Sequence, residues 1–197
     1  EWAFLEADAR IRPAVDRRAL AVLGRLPAAE RPRVLAMLTN VDPATRTFDP
    51  VRLRRLVGTP AARAAGAARL AALVAEHGLG GVTLDFENYP GALDAAVMAF
   101  ADTLRAALRP TNGVVALTLG VDQDERRAAR LAAHADRVFL MLYDEHWYTS
   151  PTAGPIASRA WFARQAARYL DALPPGKVIA ALGAYGICVP EEYGGAG

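Results

Sequence analysis

Short apolar runs alternate with longer amphipathic segments along the chain, and this alternation predicts its secondary structure. The apolar runs predict five strands, at residues 33–40, 80–86, 112–120, 137–144 and 176–186, with part of a further strand at Trp2–Leu5. Strands that are apolar throughout and are separated by helices indicate a parallel sheet buried on both faces. The pattern therefore predicts an α/β fold, either an open doubly wound sheet or a (β/α)8 barrel. A complete barrel takes roughly 250 residues, so a barrel made by this chain would lack strands.

Helices are predicted between the strands. Residues 49–78 keep a helical spacing of apolar positions, and Gly78 is expected to end this helix. Residues 91–109 and 156–173 each place apolar side chains on one face, the second with Phe162, Ala166, Tyr169, Leu170 and Leu173. Together these elements predict one domain over residues 1–186, followed by an irregular tail over residues 187–197.

Composition supports a globular domain and excludes several classes of partner. The 197 residues are 53% hydrophobic and 22% charged, which is enough apolar material for one sizeable core. The net charge is +2 and no basic stripe is interleaved with aromatics, so nucleic acid is not an expected partner. No apolar run reaches the ~20 residues of a membrane span, so no membrane contact is expected of this segment. The lone Cys188 excludes an internal disulfide, and the first residues read as the interior of a longer protein.

Two acidic residues end the predicted strand at 80–86. In "GGVTLDFENYP", Asp85 and Glu87 are two residues apart, so they project to the same face of a strand, ~6.5–7 Å apart along the chain. Active sites of parallel α/β folds form at this carboxyl end of the strands. Two carboxyl groups so close together raise the pKa of one of them, which suits a general acid. The alternatives are two solvated acids or a pair that caps the following helix, and the motif alone does not decide.

A second cluster ends the predicted strand at 137–144. Met141 and Tyr143 share one strand face, and Asp144, His146 and Trp147 follow directly. Aromatic rings beside acids suit sugars, whose CH faces pack on rings while their hydroxyls bond to carboxylates. An ordinary buried strand with Tyr143 as a core phenol explains this stretch equally well. Weaker candidates for sugar contacts at the predicted strand ends are Asn40, Tyr89 and Tyr185.

Together the two stretches resemble glycoside hydrolase family 18, the chitinase-like hydrolases. "GGVTLDFE" matches the last half of that family's DxxDxDxE motif at Asp85 and Glu87, and "MLYD" at residues 141–144 matches its MxYD motif. "KVIAALGAYG" is similar to the family's seventh strand, so the resemblance extends to Gly186. "LDFENYP" and "YDEHWYTSPTAGPIASRAWF" are similar to the bacterial spore-germination and cell-wall branch. They are also similar to the chitinase-like module fused to a polysaccharide deacetylase and a glycosyltransferase.

The resemblance implies a (β/α)8 TIM barrel, but the sequence departs from the family pattern in two ways. Gly80 and Thr83 occupy the positions of the family's first two acids. The family's first and last strands also have no counterpart, so the implied barrel is incomplete. The loss of the acid at position 83 removes a charge that helps the middle Asp during the reaction, although the bacterial branch often works without it.

For activity, the resemblance implies substrate-assisted, retaining hydrolysis of β-linked N-acetylglucosamine polysaccharide, with no metal and no cofactor. It implies that Glu87 is the acid and base, that Asp85 holds the acetamido N–H, and that Tyr143 orients the acetamido oxygen. It implies a sugar contact from Asp144. Further candidates for sugar contacts, from their positions near the predicted strand ends, are Met141, Trp147, His146, Asn40, Tyr185 and Tyr89. It further implies a bacterial extracellular or cell-envelope location and fused deacetylase or glycosyltransferase modules as partners. A non-catalytic carbohydrate-binding module on the same scaffold is the alternative.

Overall fold

A computed structural model describes residues 3–186. Its strands are β1 (Ala3–Leu5), β2 (Ile11–Pro13), β3 (Leu35–Thr39), β4 (Val41–Asp42), β5 (Thr47–Phe48), β6 (Gly81–Asp85), β7 (Val114–Gly120), β8 (Arg137–Met141) and β9 (Val178–Ala181). Its helices are α1 (Arg17–Gly24), α2 (Pro50–Val57), α3 (Pro60–His77), α4 (Asp94–Leu108), α5 (Glu125–Ala133) and α6 (Arg159–Ala172). Every predicted strand is present, though most are shorter than predicted. Trp2, Cys188 and the predicted tail lie outside the described residues.

The chain divides into two compact units. The first comprises the described residues up to Thr118 together with Leu131–Arg137, and the second comprises Leu119–Arg130 and the described residues from Val138 onward. Both units combine strands with helices, so the α/β class predicted from the sequence pattern is confirmed.

In the first unit, five strands form a sheet in the order β2-β1-β3-β6-β7. β1, β3, β6 and β7 are parallel, and β2 pairs antiparallel with β1. The β3–β6 register places Thr39 opposite Asp85, so the two strands end at the same level. The strands bury Leu38, Val82 and Leu84, and helices α3 and α4, which pack together, bury Leu70 and Phe100. Burial of both strand faces explains why the strands are apolar throughout.

The single helix predicted over residues 49–78 is wrong, because the chain forms two helices there. Pro60 opens α3 at its first position, and Thr59 before it is extended, with φ −130° and ψ 152°. Proline disfavours helical backbone in the residue that precedes it, and the Thr59 hydroxyl accepts a hydrogen bond of 3.1 Å from the Ala62 N–H. The predicted end of the helix is confirmed, since α3 stops at His77 and Gly78 is left-handed, with φ +60°.

The second unit contains the parallel pair β8–β9, whose register runs from Val138 opposite Val178 to Met141 opposite Ala181. Helix α6 buries Tyr169, and Leu173 directly after the helix is also buried, but Leu170 is 45% exposed, so its predicted place on the apolar face is wrong. Adjacent helical residues are about 100° apart, and the buried face follows Tyr169 and Leu173 instead. The Tyr169 hydroxyl donates to the Gln123 carbonyl, and burial of the phenol raises the pKa of Tyr169 to about 12.

None of the helices in the described part of the chain combines the length and the apolar character that crossing a membrane requires.

Gly81, at the start of β6, provides a test of the sheet. Its φ is +146°, and a Cβ atom there would lie 2.0 Å from the Val114 carbonyl oxygen of β7. Gly81→Ala therefore combines backbone strain with a clash against main-chain atoms, and we expect it to lower the free energy of unfolding by about 3 kcal/mol. For a chain of this size that corresponds to a fall of about 6–12 °C in the thermal unfolding midpoint.

Gly24→Ala is the matched control, because no atom lies within 4 Å of the added Cβ and Gly24 is the last residue of α1. We expect it to leave the midpoint unchanged or to raise it slightly, since alanine favours helix by about 0.5–1 kcal/mol. Equal midpoints for the two variants, measured by circular dichroism, would mean that the β6–β7 contact tolerates a side chain at position 81.

Candidate active site

The carboxyl end of β6 is where the buried strand becomes polar. Val82, Thr83 and Leu84 are all buried, whereas Asp85 and Glu87 are only partly buried. Phe86 between them packs toward Phe100 of α4, with ring centroids 6.4 Å apart. The two carboxyl groups therefore lie at the carboxyl end of β6, which forms part of the rim of the sheet, whereas the Phe86 ring between them is packed in the core.

Asp85 is bound by the neighbouring strand. The Thr118 hydroxyl of β7 donates a hydrogen bond of 2.8 Å to Asp85 Oδ1, and it also lies 3.4 Å from the Leu84 carbonyl oxygen. Thr118 is buried, so this hydrogen bond forms largely out of water, where it is stronger than in solvent. Thr118 is absent from the predicted site residues, although a threonine inside the apolar run "VVALTLG" is a visible signal in the sequence.

Glu87 is held through its main chain. Asn40, which follows β3 directly, donates from Nδ2 to the Glu87 carbonyl oxygen at 3.0 Å and accepts from the Glu87 N–H at 3.0 Å. Asn40 is fully buried, so its carboxamide supports Glu87 at this rim. The sugar contact predicted for Asn40 stays a prediction, and the contact that the structure shows is to Glu87.

The acidic pair does not cap the next helix. The chain turns after Glu87 at Asn88, which has φ +52°, and Tyr89 beyond it is partly buried. Helix α4 begins at Asp94, and its N-cap residue is Leu93, not either of the two acids. The alternative interpretation of the two acids as helix caps is therefore wrong.

In the second unit, Tyr143 and Asp144 follow β8 instead of lying within it. The predicted strand at 137–144 is too long, because β8 ends at Met141 and Asp144 has φ +67°. The rings of Tyr143 and Tyr185 meet edge to face at a centroid distance of 6.0 Å. The Tyr185 hydroxyl donates to Asp144 Oδ1. Partial burial of the phenol and the adjacent Asp144 carboxylate hold the pKa of Tyr185 well above its usual range.

The loop after Asp144 presents aromatic and polar side chains. His146 Nδ1 lies 3.0 Å from the Pro155 carbonyl oxygen, and Trp147 is 47% exposed, with its indole N–H bonded to the Thr149 hydroxyl at 2.7 Å. His146, Trp147 and Tyr185 line part of a cavity of about 370 Å³. An exposed, oriented indole beside a cavity of that size is suited to stacking against a sugar ring.

Comparisons with known proteins give the fold. No protein-family model and no curated protein matches this chain. Among solved structures, Bacillus subtilis YdhD, assigned as a sporulation-specific glycosylase, matches with a TM-score of 0.79 at 22% identity, over 94% of this chain and 62% of that protein. A class V chitinase of Pseudomonas fluorescens Pf-5 gives 0.77 at 20% identity, over 91% and 58%. The spore cortex-lytic enzyme SleL of Bacillus cereus gives 0.71 at 15% identity, over 90% and 41%.

The chain has a chitinase-like fold. The predicted TIM-barrel class is thereby confirmed, and this chain spans less than two thirds of the length of those three proteins. In barrels of this class, active sites lie at the carboxyl ends of the strands. In the first unit, Asn40 lies at that end of β3, and Asp85 and Glu87 lie at that end of β6.

Glu145, in the second unit, is hydrogen-bonded to Ser158, the residue that precedes α6. Its carboxylate accepts from the Ser158 N–H at 2.5 Å and from the Ser158 hydroxyl at 3.1 Å, so it supports the start of α6. The Ser158 N–H holds the pKa of the Glu145 carboxyl below its usual range. Within residues 3–186, no three His, Cys, Asp or Glu side chains are grouped so that they could hold a metal ion.

The Tyr185–Asp144 hydrogen bond can be tested by titration. Ionised Tyr185 would face the Asp144 carboxylate, so Asp144→Asn removes a repulsion and we expect the pKa of Tyr185 to fall toward its ordinary value of 10.0. The phenolate absorbance of each protein, minus that of its Tyr185→Phe counterpart, isolates this group.

Asp171→Asn is the matched control, because Asp171 is an exposed carboxylate on α6. It is expected to leave the Tyr185 titration unchanged. If Asp144→Asn behaves like Asp171→Asn, then Asp144 does not influence the phenol.

Proposed function

We propose that this chain is the hydrolytic part of a glycosidase that cleaves β-linked N-acetylglucosamine polysaccharide, by the substrate-assisted mechanism of glycoside hydrolase family 18. The observation that carries the proposal is the pair Asp85 and Glu87 at the carboxyl end of β6, with Asp85 bound by Thr118 and the Glu87 main chain held by Asn40. The chitinase-like fold and the family motifs around both acids support it.

In this mechanism Glu87 works first as an acid and then as a base. Its carboxyl proton passes to the glycosidic oxygen as the bond to the anomeric carbon breaks. The 2-acetamido oxygen of the substrate attacks the anomeric carbon and gives an oxazolinium ion, which is why this class departs from the usual scheme with two carboxylates. The Glu87 carboxylate then takes a proton from water, whose oxygen bonds to the anomeric carbon as the bond from that carbon to the acetamido oxygen breaks. This step restores the acetamido group and gives a product of retained configuration.

Asp85 is assigned to the acetamido group. Its carboxylate accepts the acetamido N–H and balances the positive charge of the oxazolinium ion, which favours the transition state. The family places a further acid where this chain has Thr83, which is buried. We propose that Thr118 orients Asp85 in this chain, since its hydroxyl donates to Asp85 Oδ1.

The remaining roles rest on the family resemblance. Tyr143 is proposed to orient the acetamido oxygen, and Asp144, which Tyr185 binds, to hold the sugar nearby. Trp147 is proposed as a stacking platform, supported by its exposure. Further sugar contacts are proposed for Met141, His146, Tyr89 and Tyr185.

The substrate class is proposed as peptidoglycan, chitin-like chains or poly-N-acetylglucosamine. Matches to chitinases and to a spore cortex-lytic enzyme are consistent with such polymers. The same resemblance supports a bacterial extracellular or cell-envelope location and an association with deacetylase or glycosyltransferase modules.

A second candidate function is a non-catalytic carbohydrate-binding module on the same scaffold. The observation that favours it is the replacement of two family acids by Gly80 and Thr83. The retention of Glu87 favours hydrolysis, because binding alone does not require a general acid at that position.

Glu87→Gln separates the two functions. We expect the protein to release the chromophore from a chromogenic N-acetylglucosamine oligosaccharide, and Glu87→Gln to lose at least about 10³-fold in kcat, since the amide cannot donate the proton. Calorimetric binding of an unlabelled oligosaccharide is expected to stay within about twofold of the unsubstituted protein, because the amide keeps the shape of the carboxyl group.

Glu76→Gln, which changes an exposed carboxylate on α3, is the control and is expected to keep full activity. A protein that binds N-acetylated oligosaccharides and cleaves none would establish the second candidate function. Absence of both binding and cleavage would contradict both candidates.

A further inference from the structure

Asn40 makes an unusual pair of contacts for a residue at a strand end. Its side chain is fully buried, and both polar atoms of the carboxamide bond to one residue, Glu87. The two bonds are reciprocal: Nδ2 donates to the Glu87 carbonyl oxygen, and Oδ1 accepts from the Glu87 N–H, each at 3.0 Å. The carboxamide thus occupies the place that the main chain of a pairing strand would take.

The position matters because main-chain pairing of β6 has already ended. Register pairing with β3 stops at Thr39 opposite Asp85, and pairing with β7 stops at Leu84 opposite Leu117. Glu87 lies two residues beyond the strand, and Asn88 then turns the chain with φ +52°. A residue in that position is ordinarily part of a mobile loop. The two hydrogen bonds from Asn40 therefore hold the main chain in place for two residues beyond the end of β6, as far as Glu87.

Asn40 is itself held by a hydrogen bond to its main chain. Its carbonyl oxygen accepts from the Asp49 N–H at 2.9 Å, and the Asp49 side chain caps α2 by accepting from the Val51 and Arg52 N–H groups. Arg52 in turn bonds to Asp42 at 2.8 Å. The carboxamide that holds Glu87 is therefore connected to the start of a helix, which limits its movement.

We propose that Asn40 is the positioning residue of the acid Glu87, an inference that rests on the proposed function. Asn40 touches no reacting atom in this role. It fixes the Glu87 main chain on both sides, so that the carboxyl group is delivered to the glycosidic oxygen without first ordering a loop. A misplacement of about 1 Å of a catalytic group is enough to cost about 10²-fold in rate, so the loss of a main-chain anchor is expected to have a large kinetic effect.

The chemistry of the pair requires asparagine. Leucine has a similar shape but offers neither a donor nor an acceptor, so Asn40→Leu leaves the Glu87 N–H and carbonyl oxygen without their partner. Aspartate keeps an acceptor for the N–H, but it sets a carboxylate oxygen against the Glu87 carbonyl oxygen. Glutamine keeps the amide but displaces it by one methylene group. Each substitution disturbs the anchor in a different and separable way.

The test measures kcat and KM on a chromogenic N-acetylglucosamine oligosaccharide. For Asn40→Leu and Asn40→Asp we expect kcat to fall about 10²-fold while KM stays within about twofold, because the acid is misplaced and the sugar contacts remain. Leu38→Ala is the matched control, since Leu38 is a fully buried side chain of β3, the strand that Asn40 follows. It is expected to lower the unfolding temperature at least as much, with kcat within about twofold in the folded protein.

A second readout does not depend on activity. Amide hydrogen exchange of the Glu87 N–H, followed by NMR on ¹⁵N-labelled protein, is expected to be slow in the unsubstituted protein and at least about tenfold faster in Asn40→Leu. Asn40→Leu that keeps the kcat of the unsubstituted protein, or Leu38→Ala that loses as much kcat as Asn40→Leu, would overturn the positioning role. Unchanged exchange of the Glu87 N–H in Asn40→Leu would overturn the anchor itself. An inactive unsubstituted protein would instead overturn the proposed function, and the exchange measurement would still decide whether Asn40 holds Glu87.

Discussion

The parallel pairing of β3 with β6 is the constraint on which the candidate site depends. Its register sets Thr39 opposite Asp85, which brings Asn40 within hydrogen-bond distance of Glu87. A slip of one residue would turn Asp85 toward the opposite face of the sheet and separate the Asn40–Glu87 pair. The apolar side chains that both strands bury hold this register. Because the register sets the position of the strand ends, packing of the core also positions the two acids.

Buried polar side chains specify the arrangement at the rim of the first unit. Thr39, Asn40 and Thr118 are all buried, and each is hydrogen-bonded: Thr39 to the Val41 N–H, Asn40 to Glu87 and Thr118 to Asp85. Within residues 3–186, no buried side-chain nitrogen or oxygen lacks a partner. A buried polar group is costly unless it is hydrogen-bonded, so each of these contacts selects one geometry over its alternatives. The second unit also has hydrogen bonds between polar side chains, from Tyr185 to Asp144 and from Ser158 to Glu145, but these groups are only partly buried or exposed.

The sequence by itself determined the secondary-structure elements and the position of the two acids at a strand end. Apolar runs separated by helical periods were sufficient for the α/β class, for the strands and for the end of α3 at Gly78, because these depend on local periodicity and on local backbone preferences. Asp85 and Glu87 were identified as the acids at a strand end for the same local reason. The break before Pro60 was also encoded locally, in a proline that the helical spacing around it obscured.

Only the tertiary structure decided which side chains support those acids. Thr118 is 33 residues from Asp85, and Asn40 is 47 residues from Glu87. Their contacts exist because β3, β6 and β7 align in one register, and that alignment is the outcome of packing across the whole sheet. The end of β8 at Met141 and the exposure of Leu170 likewise depend on the elements that pack beside them. A local sequence pattern contains no information about those neighbouring elements. Periodicity fixes the direction of a side chain along its own element, whereas its partner is fixed by the elements that pack beside it.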